Sequence, residues 1–296
     1  MYVVIGATGK TGSAAVDELL ARGQKVRAVT HNAEHSKALK EKGAEPFVGS
    51  VVDADAMTKA LSDAEAVYIL IPPNFNPPGG LRAYQNDVAN TLATAVERAG
   101  VRYAVLLSSL GAEHNEGTGP VKGLHDLEQR FNNLKDVNVL ALRPTFFMEN
   151  TLGSIPLIEK MGINGGVVKP DLPVAMIASH DVGVYAARRM IARDFSGKSF
   201  QDLLGPRDIT WNEVTRIIGE AIGQPNLKYR QFSSEDAING MVSMGVPRPF
   251  AEAFAELARA ANEGLIKPSE PRSPKNSTPT TFEEFSETFA AAFQKQ

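Results

Sequence analysis

The sequence has no cysteine among its 296 residues, which excludes disulfide bonds, thiolate catalysis and cysteine-ligated metal centres. It also has no excess of positive charge, since the formal net charge is −3 at pH 7. Direct binding to nucleic acid needs a cationic face and is therefore not expected. No apolar run approaches the length of a membrane span, and no charged leader opens the chain. We therefore expect a soluble, cytoplasmic protein with no membrane partner.

Metal chemistry is also not expected. The five histidines are scattered along the chain rather than grouped at the spacing that metal ligands require. With 43% hydrophobic residues, a chain of this length can bury a large core, which suggests one big domain with or without a small lobe.

The first residues combine a buried strand, a glycine-rich turn and a helix. Residues 2–5 are apolar, glycines follow at positions 6, 9 and 12, and residues 13–22 have a helical pattern. Such a turn lays a pyrophosphate on the helix N-terminus, where free N–H groups and the helix dipole meet the anion. A triphosphate-binding loop is excluded, because Val4 stands where that motif needs a glycine. The turn residues predicted to bind a dinucleotide are Gly6, Thr8, Gly9, Lys10, Thr11 and Gly12.

Strands and helices then alternate as far as residue 142, which predicts an α/β fold with a doubly wound parallel sheet of the Rossmann type. In such a sheet the carboxyl ends of the strands face the dinucleotide crevice. The residues at these strand ends that we predict to bind the cofactor are His31, Asn32, Ser50, Val51, Pro72, Pro73, Asn74 and Ser108. No acid ends the second strand, and Lys10 and His31 offer positive charge for a 2′-phosphate, so we favour NADP(H) over NAD(H).

The Gly-Ala-Thr-Gly sequence at residues 6–9, within Gly-x-x-Gly-x-x-Gly spacing, resembles the NmrA-like branch of the atypical short-chain dehydrogenase/reductase family. In that wider family the serine that ends the fifth strand works with a Tyr-x-x-x-Lys pair on the next helix. Here Val121 stands at the tyrosine position and His125 at the lysine position. Valine carries no proton, so the ordinary alcohol-dehydrogenase mechanism is not expected.

The resemblance to NmrA-like and quinone-oxidoreductase-like proteins implies an NAD(P)H-dependent transfer of hydride to a quinone, azo compound or similar small electron-poor acceptor. His125 is then expected to hold the nicotinamide ribose or carboxamide or to donate a proton, with Lys122 one turn earlier as a substitute. An ordinary structural role for His125 stays open. The Leu-Arg-Pro segment at residues 142–144 implies a nicotinamide pocket at Thr145, Phe146 and Phe147, although the two phenylalanines can equally be core residues.

The predicted domains are a dinucleotide-binding domain over residues 1–150, to which residues 174–205 return, and a smaller, mostly helical α/β substrate lobe over residues 151–296. Within the lobe, Thr210 and Glu213 form a predicted capping box, and residues 267–279 read as an extended linker. The alternative function is a non-catalytic NAD(P) sensor that acts on a protein partner. A sugar-nucleotide epimerase ranks last, because the tyrosine that its chemistry uses is missing.

Overall fold

The computed structural model describes residues 1–295, which divide by their contacts into two compact units. The first unit comprises residues 1–115, 121–143 and 180–201. The second comprises residues 116–120, 144–179 and 202–296, of which the last residue is outside the described part. The segment that returns to the first unit is therefore shorter than the predicted 174–205.

The described residues form a seven-stranded sheet and a separate two-stranded sheet. The strands are β1 (Tyr2–Ile5), β2 (Val26–Thr30), β3 (Glu45–Val48), β4 (Ala66–Ile69), β5 (Tyr103–Leu107), β6 (Asn138–Pro144), β7 (Ile163–Gly166), β8 (Lys198–Leu203) and β9 (Lys228–Gln231). The large sheet has the order β3-β2-β1-β4-β5-β6-β8, and the recorded pairs from β3 to β6 are all parallel. The predicted doubly wound sheet is thus confirmed. Its strand order reverses between β1 and β4, which is where such sheets bind ligands.

Helices flank these strands. The α-helices are α1 (Lys10–Ala21), α2 (His35–Glu41), α3 (Ala54–Ala60), α4 (Leu81–Ala99), α5 (Lys122–Asn132), α6 (Ile155–Met161), α7 (Ser179–Ala192), α8 (Trp211–Ala221), α9 (Ser234–Ser243), α10 (Arg248–Asn262) and α11 (Phe282–Phe293). Short 3-10 helices cover Gly119–Val121 and Met148–Ser154. In residues 1–295 no helix combines the length and the apolar character needed to cross a membrane.

The core of the first unit lies around the central strands. All four residues of β1 and all four of β4 are buried, as expected for parallel strands covered by helices on both faces. Val3, Ile5, Val67 and Ile69 belong to one apolar cluster that continues into α4. Burial of each such side chain contributes about 1.5–3 kcal/mol, so this cluster holds the strand ends in place.

The second unit has its own core, in which α8 and α11 pack together. Phe282, Phe285 and Phe289 are buried beside Ile217 and Ile218. Both helices begin with a reciprocal capping box, which confirms the predicted box at Thr210 and Glu213 and adds one at Thr281 and Glu284. These caps satisfy N–H groups that would otherwise lack partners at the helix starts.

In the second unit, the predicted linker differs from the sequence expectation, and a glycine-rich stretch adds a strand for which no expectation was stated. The stretch read as a linker pairs with the strand-like segment at Leu204, because Leu204 N–H donates to the Asn276 carbonyl (2.7 Å) and Thr278 N–H donates to the Leu204 carbonyl (2.9 Å). The glycine-rich stretch after α6 forms β7 and pairs in parallel with β9. A Cβ at Gly165 would lie 2.5 Å from the Phe232 ring, so this strand uses glycine to admit a neighbouring aromatic ring.

Helix α7 packs unusually close to the start of α1. A Cβ at Gly183 in α7 would lie 2.1 Å from the Thr11 carbonyl oxygen, a contact that requires the backbone to move.

We therefore expect Gly183→Ala to lower the free energy of unfolding by about 1–3 kcal/mol, as overpacking does. Gly240→Ala is the matched control, because Gly240 lies exposed in α9 with open space around its Cβ position. It should raise stability by about 0.5–1 kcal/mol. Urea unfolding followed by circular dichroism checks both signs, and equal midpoints for the two variants would contradict the close packing.

Candidate active site

The turn between β1 and α1 needs glycine at two positions. Gly6 has a φ of 67°, in the left-handed region that glycine adopts without strain. Its carbonyl accepts the Gly9 N–H at 2.9 Å, which closes the turn. A Cβ at Gly12 would lie 2.1 Å from the Gly6 carbonyl oxygen, so the first turn of α1 lies directly on the end of β1. The residues Thr8, Gly9 and Lys10 are exposed at the top of this turn, whereas Thr11 and Gly12 are buried beneath it.

The start of α1 suits an anion. Gly9 is the N-cap and has no side chain with which to cap the helix, and no acid lies in the first turn. Ser13 directs its hydroxyl to the Lys10 carbonyl (3.2 Å) rather than to the N–H groups at the helix start. Uncapped N–H groups, the positive end of the helix dipole and the close backbone approach that glycine permits together match a dinucleotide pyrophosphate. The residues present therefore fit the predicted cofactor.

The end of β2 holds the residues predicted to face the adenosine ribose. His31 is exposed, and Asn32 N–H donates to the Thr30 hydroxyl oxygen at 3.2 Å. The Asn32 side chain donates to the Glu34 carboxylate (3.2 Å) and accepts the Glu34 N–H (2.9 Å). An acid that the sequence reading passed over thus lies beside the candidate 2′-phosphate residues. A negative charge there opposes a phosphate, so the charge at this strand end is mixed.

The remaining predicted residues after β3 and β4 lie at the same edge of the sheet. Ser50 is exposed, and its hydroxyl accepts the Val52 N–H (3.4 Å), while Val51 packs partly against the core. After β4, the Pro72 carbonyl accepts the Tyr84 hydroxyl (3.1 Å), and Pro73 is exposed. The Asn74 side chain accepts the Asn76 N–H at 3.1 Å. These contacts shape the loops that follow the strands.

Ser108, at the end of β5, is tied to a buried ion pair. Its hydroxyl donates to Glu128 Oε1 at 2.5 Å. Arg143, on β6, donates to both oxygens of the same carboxylate, at 2.9 and 2.6 Å. The three residues are only 3%, 4% and 8% exposed, respectively. Because its proton is committed to Glu128, the Ser108 hydroxyl in this arrangement can accept a hydrogen bond but cannot donate one to a substrate.

Helix α5 carries the two candidate catalytic side chains. His125 is half-buried, and its Nδ1 lies 2.8 Å from the Ala112 carbonyl oxygen. A carbonyl oxygen only accepts, so Nδ1 must carry the hydrogen, and Nε2 is an acceptor when the ring is neutral and a donor only when it is charged. Lys122 is also half-buried, one turn earlier at the start of the helix. Val121, at the position of the missing tyrosine, is 4% exposed and closes that position with an apolar side chain.

A second ion pair lies beside His125. Arg82 in α4 donates to both oxygens of Asp126, at 2.7 and 3.0 Å, and Asn86 adds a bond at 3.1 Å. The hydrogen bonds from Arg82 lower the pKa of Asp126 below its usual range, and they outweigh the opposing effect of burial. Asp126, the residue that follows His125, is therefore ionised at neutral pH.

The residues predicted to hold the nicotinamide belong to the second unit. The Thr145 N–H donates to the Leu203 carbonyl (3.1 Å), so that amide is occupied within the fold. Phe146 meets Trp211 edge-on, with ring centroids 5.4 Å apart, and packs against the core of its unit. Phe147 is half-buried and precedes the 3-10 helix that starts at Met148. Phe146 thus has a packing role in its own unit, whatever else it contacts.

Sequence reasoning missed three contributors to this region, namely Glu34, Glu128 and Arg143 as a partner of Glu128. The sequence of α5 does not reveal that Glu128 is buried, because its partner Arg143 lies on β6. The spacing of Glu128 three residues after His125 was the available signal. Two other histidines lie near acids, since His114 is 3.5 Å from Glu113 and His180 is 3.5 Å from Asp181. Within residues 1–295 no three potential metal ligands come together.

The parallel sheet, its reversal beside β1 and the glycine turn define a dinucleotide-binding α/β protein. The sequence model of the NmrA-like family matches residues 2–286, and the chain belongs to that family.

Individual relatives agree with this assignment. The chain is 24% identical to an NAD(P)H azoreductase of Xenophilus azovorans over 99% of both chains. Its fold is similar to that of an NADPH-dependent quinone oxidoreductase of Escherichia coli solved with NADPH, with a TM-score of 0.83, 22% identity and coverage of 97% of this chain and 99% of that one. A triphenylmethane reductase of Citrobacter sp. gives a TM-score of 0.81 at 19% identity, covering 98% and 99% of the two chains. At these identities the structures support the shared fold.

The lowered pKa of Asp126 predicts how the free energy of unfolding changes as the pH falls. A carboxylate with a lowered pKa in the folded state stabilises the fold above its ordinary pKa, about 3.9, and this contribution disappears as the pH falls through the lowered value. We expect Asp126→Asn to be less stable than wild type at pH 6 and the difference to shrink towards pH 3. Urea midpoints across this range measure it. Asp87→Asn, an exposed change on α4, is the control, and a difference that stays constant with pH would contradict the assignment.

Proposed function

We propose that this protein is an NAD(P)H-dependent reductase that passes hydride to a quinone, an azo compound or a similar small electron-poor acceptor. The observation that carries the proposal is the combination of an intact pyrophosphate cradle with a buried valine at the tyrosine position. The site thus retains a glycine turn suited to a dinucleotide, but it lacks the tyrosine that would protonate an alkoxide. The named activities of the azoreductase and quinone oxidoreductase relatives support this choice over the regulatory alternative.

Electron-poor acceptors suit a site of this kind. When bound, a reduced nicotinamide supplies the hydride. A quinone or azo acceptor spreads the resulting negative charge over its own π system, so a precisely placed acid is less essential than for a simple ketone. The protein contributes mainly by orienting the two reactants, an effect that can supply much of the rate enhancement.

We assign the proton-handling role to His125. The Ala112 carbonyl holds Nδ1, which leaves Nε2 as the atom that can donate a proton when the ring is charged. Lys122, on the same helix face, is the substitute candidate for binding the ribose.

We further propose that NADP(H) is preferred over NAD(H), because Lys10 and His31 are exposed at the turn and at the end of β2. Glu34 opposes this preference through its charge next to Asn32. The cytoplasmic location, the absence of a nucleic-acid partner and the cofactor contacts at Thr145, Phe146 and Phe147 stay predictions.

The first test is turnover. We expect the purified protein to oxidise NADPH repeatedly with a panel of quinones and azo dyes, followed by loss of nicotinamide absorbance. His125→Ala should lower kcat by about tenfold or more. General acid catalysis typically contributes about a hundredfold or more, but an electron-poor acceptor depends less on a placed acid. His180→Ala is the matched control, since His180 is 71% exposed and has no assigned role. Tight nucleotide binding without turnover on any acceptor would contradict the reductase and favour the sensor.

The second test is cofactor choice, measured as dissociation constants for NADPH and NADH by fluorescence titration. Lys10→Ala and His31→Ala should each weaken NADPH binding by about tenfold and leave NADH unchanged, since a hydrogen bond to a charged group is worth about 1.5–3 kcal/mol. Glu34→Gln should have the opposite sign and strengthen NADPH binding. Lys135→Ala, exposed after α5 near the start of β6, is the control. Equal losses for both nucleotides would contradict recognition of the 2′-phosphate.

A further inference from the structure

The buried ion pair of Glu128 and Arg143 lies at the meeting point of three elements in the first unit. Ser108 comes from the end of β5, Glu128 from α5 and Arg143 from β6. The Phe200 ring covers the guanidinium, with its centroid 4.1 Å from the central carbon. The Glu128 carboxylate accepts a hydrogen bond from the Ser108 hydroxyl and a bidentate pair from the Arg143 guanidinium. Both of its oxygens therefore make directional hydrogen bonds. The position and rotation of α5 about its axis are therefore fixed at Glu128.

The same helix face carries His125. Residues three apart on a helix are neighbours, so an anchor at Glu128 sets where the imidazole projects. The other anchor of the ring is the Ala112 carbonyl, in the loop that begins at Ser108. Arg143 also reaches Glu113 in this loop, at 3.4 Å. The buried cluster thus holds both the helix that carries the ring and the loop that binds its Nδ1.

A purely stabilising role explains this cluster poorly. Two charges that are removed from water lose hydration, and buried ion pairs are often no more stable than apolar residues of similar volume. What such a pair does provide is a defined geometry. The commitment of the Ser108 proton to Glu128 also leaves the serine unable to polarise a substrate carbonyl.

We propose that Glu128 is a positioning residue for the reductase: by binding Ser108 and Arg143 it fixes α5 and the Ala112 loop so that His125 Nε2 is presented to the acceptor. Ser108 acts in this arrangement as an anchor for the helix. The inference rests on the proposed function of His125, so its test includes a measurement that needs no turnover.

The measurement is the ring N–H signal of His125 in proton–nitrogen NMR spectra of the ligand-free protein, assigned by its loss in His125→Ala. The main variant is the triple change Ser108→Ala, Glu128→Leu, Arg143→Leu, which removes all three polar groups and leaves no buried charge unpaired. Glu128→Gln is the smaller companion change. Glu220→Gln is the matched control, because Glu220 forms an exposed pair with Arg216 on α8.

If Glu128 positions His125, the triple variant will fold, but its His125 signal will shift or vanish. Its kcat will fall by about ten- to a hundredfold, as expected for a small misplacement of a reacting group. Glu220→Gln will leave all these quantities unchanged.

A folded triple variant with an unaltered His125 signal and wild-type kcat would overturn the positioning role. If Glu128→Gln and the triple variant both fail to fold, Ser108→Ala decides the question, because it keeps the ion pair and removes only the hydroxyl that anchors Glu128 to the end of β5. An unchanged His125 signal in that variant would also overturn the inference. Absence of turnover in wild type would instead refute the proposed function, and the NMR comparison would still test Glu128.

Discussion

The contact between the backbone of Gly12 and the carbonyl of Gly6 is the constraint on which the first unit depends. At this point the first turn of α1 lies on the end of β1 with no room for a side chain between them. The contact aims the free N–H groups of the helix at the edge of the sheet where the strand order reverses. Gly183 extends the same close packing to α7, which meets the Thr11 carbonyl. Three glycines therefore shape the proposed anion site and allow α7 to pack against the start of α1.

The chemistry of the candidate active site depends on which residues occupy the positions of the usual catalytic side chains. Where a tyrosine would stand, Val121 is buried and carries no group that can donate a proton. Where a serine would face a substrate, the Ser108 hydroxyl is bound to Glu128. The side chain that we propose for proton handling is His125, whose Nδ1–H is bound by the Ala112 carbonyl. This arrangement matches acceptors that stabilise their own negative charge better than it matches simple alcohols or ketones.

Much of the fold was predictable, because its signals are local. The alternation of apolar strands with helices identified the parallel sheet, and the glycine spacing identified the turn. The capping box at Thr210 and Glu213 was also readable, since its two members lie three residues apart. The pairing of β7 with β9 was not, because glycine-rich strands carry little propensity and their partners are distant in sequence. The stretch after α10 was read as a linker for the same reason, since its hydrogen bonds go to Leu204.

The sequence by itself determined the dinucleotide cradle, the missing tyrosine and the place of His125, since each is set by residue type and local spacing. Only the tertiary structure decided which groups hold those residues. Glu128 is one polar residue on an amphipathic helix until β6 brings Arg143 to it and β5 brings Ser108. Buried polar groups need partners, and because those partners arrive from distant parts of the chain, only the folded protein identifies them.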